Sequence, residues 1–278
     1  MPHSARRRAH VTWALAAAAL VDQSAAYTAT ATRPTPLAPD YVDGWAVTPK
    51  RSTWQGRELM CLVVSDDPSV DNLHSVAHPD HPRYRAFEEL EDPHGALGVW
   101  PSAYAACASL QKIASELKRP PTVLELGCGA GLPSLYASVV LESPRVVATD
   151  VEAVPLAFLE AARGAHVETG SFATCTLDVT YAAVDDIRGF DVVVCADMLY
   201  NTDVATALGA LLGAAACGAG APEFVVCDPG RRGRDHFLDA FGAASGLSPM
   251  FVDQAVPDGC VDVFDGTPIG AVGVLAAR

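Results

Sequence analysis

The sequence predicts an α/β domain: a doubly wound, mostly parallel sheet of seven strands with helices on both faces, preceded by a short strand or hairpin extension. Three observations predict it. Half of the 278 residues are apolar, enough to bury one sizeable core. From Val123 onward, short β-branched runs alternate with Ala- and Leu-rich stretches of helical length, as strands joined by crossover helices do. A glycine turn, Glu125-Leu126-Gly127-Cys128-Gly129-Ala130-Gly131, lies between the first such strand and the first such helix.

Residues 1–40 read as a targeting leader outside the fold. Arg6-Arg7-Arg8 precede an apolar stretch from Val11 to Val21, and the small residues Ser24 and Ala26 follow where a signal peptidase cuts. About 11 apolar residues are too few to span a bilayer, so no stable membrane span is expected. Tyr27 and the acid-free, hydroxyl-rich run after it resemble the two-part leaders that route proteins into plastids of algae with secondary plastids. A mitochondrial or a cytoplasmic destination are the competing readings.

Residues 41–94 form an N-terminal extension. Tyr41–Ser65 contains Trp45, Trp54 and the run Leu59-Met-Cys-Leu-Val-Val, and reads as a strand or hairpin packed outside the main sheet. His74, His78 and His81 are spaced as metal ligands are on a helix, but Pro79 and Pro82 break any helix through them. They are assigned to a loop, and no metal is expected.

Residues 95–278 make the main domain, which opens with a helix over Pro101–Leu117. Strands are read at Val123–Leu126, Arg145–Thr149, Ala173–Leu177, Phe190–Cys195, Glu223–Cys227, Met250–Asp253 and Ala271–Leu275. Helices fall between them at Leu132–Leu141, Val154–Arg163, Thr202–Ala216 and Arg234–Ala244. The stretch Leu208–Gly220 runs from helix into a turn.

Charge and cysteine content limit the function classes. A net charge of −14 disfavours nucleic acid as a partner, because phosphate neutralisation needs a face rich in Lys and Arg. The leader holds four arginines against two aspartates, so the remainder is more negative still. Eight cysteines, none in a C-x-x-C pair and most in apolar runs, suit buried reduced thiols rather than a disulfide framework.

The glycine turn carries the first candidate chemistry. Gly127, Gly129 and Gly131 lack a Cβ, so the backbone can turn tightly and approach a nucleotide-like ligand at the strand's carboxyl end. A dinucleotide fingerprint would need its third glycine at position 132, which is Leu132. Asp150, ending the second strand, can accept from both ribose hydroxyls or cap the next segment. Asp178, closing Cys175-Thr-Leu-Asp, can accept from an adenine amino group or hold a turn. Asp197 and Tyr200 follow the fourth strand, and Asp228 and Arg231 follow the fifth, so all four are expected at the same crevice edge. The basic run Arg231-Arg232-Gly-Arg234 is either a contact for an acidic feature of a protein substrate or a solvated helix start.

Val123–Ser134 resembles the first motif of class I methyltransferases, and especially of the seven-strand protein-lysine methyltransferase-like group. Gly95-Ala-Leu-Gly-Val-Trp-Pro-Ser-Ala resembles that group's Trp-containing lead-in, and Asp197-Met-Leu-Tyr200 its Asp-x-x-Tyr motif. Cys227-Asp-Pro-Gly-Arg231 resembles a motif of the branch acting on the electron-transfer-flavoprotein β subunit. The resemblance covers roughly residues 55–278 and implies a Rossmann-like methyltransferase sheet, S-adenosylmethionine as cofactor and a lysine-bearing protein as substrate. It implies that Gly127, Gly129 and Gly131 line the amino-acid end of the cofactor, Asp150 the ribose and Asp178 with its neighbours the adenine, with Glu125 also among the cofactor-binding residues. Trp100 borders the cofactor pocket or acceptor channel, or serves as a core aromatic. Asp197 and Tyr200 are the implied catalytic pair, Asp197 also touching cofactor, and Asp228 and Arg231 lie on the substrate side.

The chemistry is an in-line displacement that depends mainly on positioning. A lysine acceptor must first lose its proton, which from a pKa of about 10.4 costs roughly 4 kcal/mol near neutral pH. Asp197 can orient the entering amine while Tyr200 excludes water, although Asp-x-x-Tyr also occurs as a helix cap with a packed tyrosine. Arginine or a small-molecule amine as acceptor, and a non-catalytic cofactor-binding protein, remain as alternatives. The oligomeric state is not legible.

Overall fold

The computed structural model describes residues 41–42, 45–65, 94–166, 170–263 and 266–277. The leader and the three histidines discussed above lie outside them. A three-stranded antiparallel sheet comes first, formed by β1 (Tyr41–Val42), β2 (Trp45–Trp54) and β3 (Arg57–Val64). Between β2 and β3, Gln55 and Gly56 both have positive φ, as a two-residue hairpin turn that matches the strand twist requires. Six consecutive residues of β3, Leu59 to Val64, are buried. The hairpin therefore joins the main core rather than sitting on it. Trp54 stacks edge-on against Tyr136 with ring centroids 5.0 Å apart, and Met60 N–H donates to His166 Nε2 at 3.2 Å.

The main domain follows as α1 (Pro101–Leu117), β4 (Val123–Leu126), α2 (Leu132–Leu135), β5 (Arg145–Asp150), α3 (Ala153–Arg163), β6 (Ser171–Thr176), α4 (Val184–Ile187), β7 (Val192–Ala196), α5 (Thr202–Ala215), β8 (Glu223–Asp228), α6 (Arg234–Ser245), β9 (Pro249–Ala255) and β10 (Ala271–Ala277). The sheet order is β6-β5-β4-β7-β8-β10-β9, parallel from β6 to β8, with β10 antiparallel to both of its neighbours. β4, β5 and β6 step in one direction and β7 and β8 in the other. With right-handed crossovers, that reversal puts the connecting helices on opposite faces. It also opens a crevice between the carboxyl ends of β4 and β7, where open α/β sheets bind ligands.

The expected helix over Leu132–Leu141 differs in form. Its α-helical part ends at Leu135 and continues as a π-helical turn, Tyr136–Val140. Arg57 reaches across from the hairpin to the Val139 carbonyl and pairs with Glu142. Among the described residues no helix is long and apolar enough to cross a membrane.

Candidate functional site

A cavity of about 410 Å³ opens at the reversal point of the sheet. Its floor is the glycine turn after β4; its walls come from the segments after β5, β6 and β7 and from the lead-in to α1. Asp150, at the tip of β5, is buried and accepts the Gly129 N–H at 2.9 Å and the Glu152 N–H at 3.2 Å. One carboxylate thus fixes the glycine turn and the start of α3 together. Both expected roles for Asp150, capping and lining the pocket, are open to the same side chain.

Around the turn, the three glycines have positive φ. The space a Cβ on Gly127 would take belongs to the Met198 side chain, and that on Gly129 to the Gly95 carbonyl. The missing side chains therefore bring the neighbouring segments close, and the crevice is shaped by that approach.

Glu125 lies beneath the turn, fully buried. Its Oε2 accepts the Ser134 N–H at 2.9 Å and the Ser134 hydroxyl. That amide is one of the donors an α-helix leaves unpaired in its first turn. Instead of reaching outward, this oxygen caps α2 from a neighbouring strand. Burial pushes the Glu125 carboxyl up to about 8 against the opposing pull of Ser134. The folded state therefore holds a proton between pH 4.5 and 8 that the unfolded chain releases, and stability falls as pH rises through this window. Glu125→Gln keeps the acceptor and removes the titration. Its melting temperature is expected to fall less steeply than the native protein's between pH 6 and 9, as scanning calorimetry would register.

Asp178 lies just past β6, lines the cavity, and accepts the Thr180 N–H at 2.9 Å and the Thr180 hydroxyl at 2.6 Å through one oxygen, Oδ1. It holds a turn, as one of its two readings required. Leu177 and the buried Val179 flank it with apolar surface on the same wall.

At the opposite end stand Trp100, Asp197, Tyr200 and Arg231. Trp100 opens α1 and donates its indole N–H to the Gly95 carbonyl at 3.1 Å. Tyr200 is 43 % exposed on the rim. Asp197 is a non-glycine residue at φ 62°, a conformation that aspartate tolerates better than most residues but that still costs energy. Its carboxylate is 3 % exposed and doubly paired: Arg231 Nε donates to Oδ1 at 2.7 Å and Nη2 to Oδ2 at 3.2 Å. Burial pushes the Asp197 carboxyl up, and the Arg231 charge opposes it.

One expectation for the fifth strand needs correction. Asp228 is fully buried and does not line the cavity; it accepts from the N–H groups of Gly230 and Arg231 and from Arg234 Nε at 2.7 Å. The Pro229-Gly230 turn folds back over the strand end and draws these donors inward. The arginines of the basic run divide among three partners. Arg231 turns to Asp197, Arg234 to Asp228, and Arg232 donates to the Tyr200 carbonyl.

Asp262, in the connection between β9 and β10, was not among the expected site residues. It accepts from Arg231 Nη1 at 2.8 Å. The cysteines follow their apolar contexts, with Cys61, Cys107, Cys128, Cys195 and Cys227 buried. No group of His, Cys, Asp and Glu fit to hold a metal occurs among the described residues.

A family model described as lysine methyltransferase matches residues 79–241. None of the curated proteins matches the chain. Similar solved structures include the magnesium protoporphyrin IX methyltransferase ChlM from Synechocystis PCC 6803 with bound SAH, at 14 % identity and a TM-score of 0.45 over 63 % of this chain and 83 % of that one. The methyltransferase domain of bacterial CtHen1 aligns at 15 % identity and a TM-score of 0.42 over 61 % of this chain and 96 % of that one. The CurJ carbon methyltransferase aligns at 13 % identity and a TM-score of 0.43 over 75 % and 61 %. The family model spans more than half of the sequence, takes in the glycine turn, Asp150, Asp197 and Arg231, and shows that this chain belongs to the lysine methyltransferase family.

Proposed function

We propose that the protein transfers a methyl group from S-adenosylmethionine to the side-chain nitrogen of a lysine in a protein substrate. The observation that carries this reading is one cavity with two unlike ends. At one end, the glycine turn and Asp150 meet the apolar wall of Leu177 and Val179; at the other, a carboxylate and two aromatic residues line the rim. The cavity volume lies in the range of small-molecule sites.

The residues present fit the cofactor. Asp150 stands at a strand tip where a carboxylate can accept from ribose hydroxyls. Leu177, Asp178 and Val179 offer an apolar slot with a polar edge for adenine, and the glycine turn allows the backbone to approach closely. Acidic residues line the cavity, which suits a cationic ligand. When bound, S-adenosylmethionine supplies an electrophilic methyl carbon on a positively charged sulfur. The chain's own task is to bring an amine in line with that carbon and to keep water out. In this reading Asp197 orients the amine, and Tyr200 and Trp100 wall the channel. A partly desolvated channel also lowers the cost of removing the lysine proton.

The test is incubation of the purified protein with tritiated cofactor and an organelle-enriched lysate, with mass analysis of each labelled protein. Methyl groups on a lysine are the expected result. Label on arginine, on a small amine, or nowhere at all would overturn this reading.

A further inference from the structure

We infer that Trp100, Asp197 and Asp262 form a receptor for the ammonium of the methyl acceptor, and that Arg231 occupies this receptor until the acceptor arrives. The inference rests on the lysine reading above. Three contacts define the arrangement. The Arg231 guanidinium is bidentate to Asp197, touches Asp262 at 2.8 Å, and has its Cζ 5.5 Å from the Trp100 ring centroid. Two carboxylates and an aromatic face around one cation are the chemistry by which proteins select organic cations.

Placement makes this more than a structural ion pair. Trp100, Asp197 and Arg231 line the same cavity as the glycine turn and Asp150. The Arg231 side chain is 20 % exposed and the Asp197 side chain 3 %. The guanidinium thus covers a carboxylate that solvent barely reaches. The Arg231 main chain is held separately, its N–H donating to both oxygens of Asp228 at 3.1 and 3.2 Å. Its side chain can therefore leave Asp197 without moving the backbone. Asp262 completes the receptor beside Asp197, so an ammonium that replaces the guanidinium leaves neither carboxylate unpaired.

The test uses the full chain and two probes of the cation itself, guanidinium chloride and n-butylammonium chloride, titrated at fixed ionic strength against a sodium chloride control. Arg231→Ala opens the receptor and is expected to bind both probes at least tenfold more tightly than the native protein. Adding Asp262→Asn to Arg231→Ala should weaken that binding tenfold or more. Arg231→Gln serves in its place if Arg231→Ala loses the native near-ultraviolet dichroism. A variant that is folded yet gains no cation binding, or whose binding ignores Asp262→Asn, overturns the inference. Cation binding by Arg231→Ala alongside label on something other than lysine would refute the acceptor assignment and leave the receptor standing. The reverse pair of results would do the opposite.

Discussion

Gly129→Ala is expected to abolish cofactor uptake, raising the dissociation constant for S-adenosylhomocysteine at least a hundredfold in titration calorimetry. Two costs coincide at this position. Its φ of 50° lies in the left-handed region, where an L-residue costs roughly 1–2 kcal/mol. An added methyl would also press into the Gly95 carbonyl oxygen, a backbone atom that no rotamer change can move aside. The turn must then shift, and its N–H must leave Asp150, which it meets at 2.9 Å. A hundredfold loss is about 2.8 kcal/mol, comparable to the strain and the lost charge-assisted hydrogen bond together. Gly56→Ala is the control. Gly56 has φ 76° in the hairpin turn with nothing within 4 Å of an added Cβ, so the variant should lose about 1 kcal/mol of stability and keep its affinity. Native affinity in Gly129→Ala would remove the glycine turn from the cofactor site.

That pair of glycines also shows what a sequence can and cannot reveal. Gly129 could be read directly, because its role depends on chain neighbours: a buried strand before it and a helix after it. The same locality made the strands legible. β4 begins and ends where expected, and β5, β7, β8, β9 and β10 shift only at their ends. Short or irregular pieces were not legible. α4 has four residues, Val184–Ile187, too few to show a helical period. A π-helical turn at Tyr136–Val140 carries the same apolar composition as the α-helix expected there.

In the site, individual residues were legible but their pairings were not. Asp197 and Arg231 were both identified, yet their ion pair joins positions 34 residues apart on the ends of adjacent strands, and no local pattern encodes it. Asp228 shows the converse error. Its place at the end of β8 suggested a side chain facing substrate, but that depended on a turn whose donors fold back onto it. Asp262 gave no signal, since it lies in the connection between β9 and β10 and meets the site through Arg231.

Asp197→Asn is expected to lower kcat/KM for methyl transfer by about a hundred- to a thousandfold, on the order of 3–4 kcal/mol, with affinity for S-adenosylhomocysteine changed only a few-fold. Asparagine is the informative replacement because it matches aspartate in shape and also tolerates positive φ, so the backbone at 62° is not the variable. What disappears is the charge. Two explanations predict that loss, and a double-mutant cycle separates them. If Asp197 serves only to hold Arg231, then Arg231→Ala should be as damaging as Asp197→Asn, and the double variant no worse than either. If Asp197 orients the acceptor, Arg231→Ala should retain the larger part of the rate, because the carboxylate is still present and no longer covered. Adding Asp197→Asn should then impose its full cost on that background. Rates that fall equally in all three proteins would reduce Asp197 to a strut for Arg231.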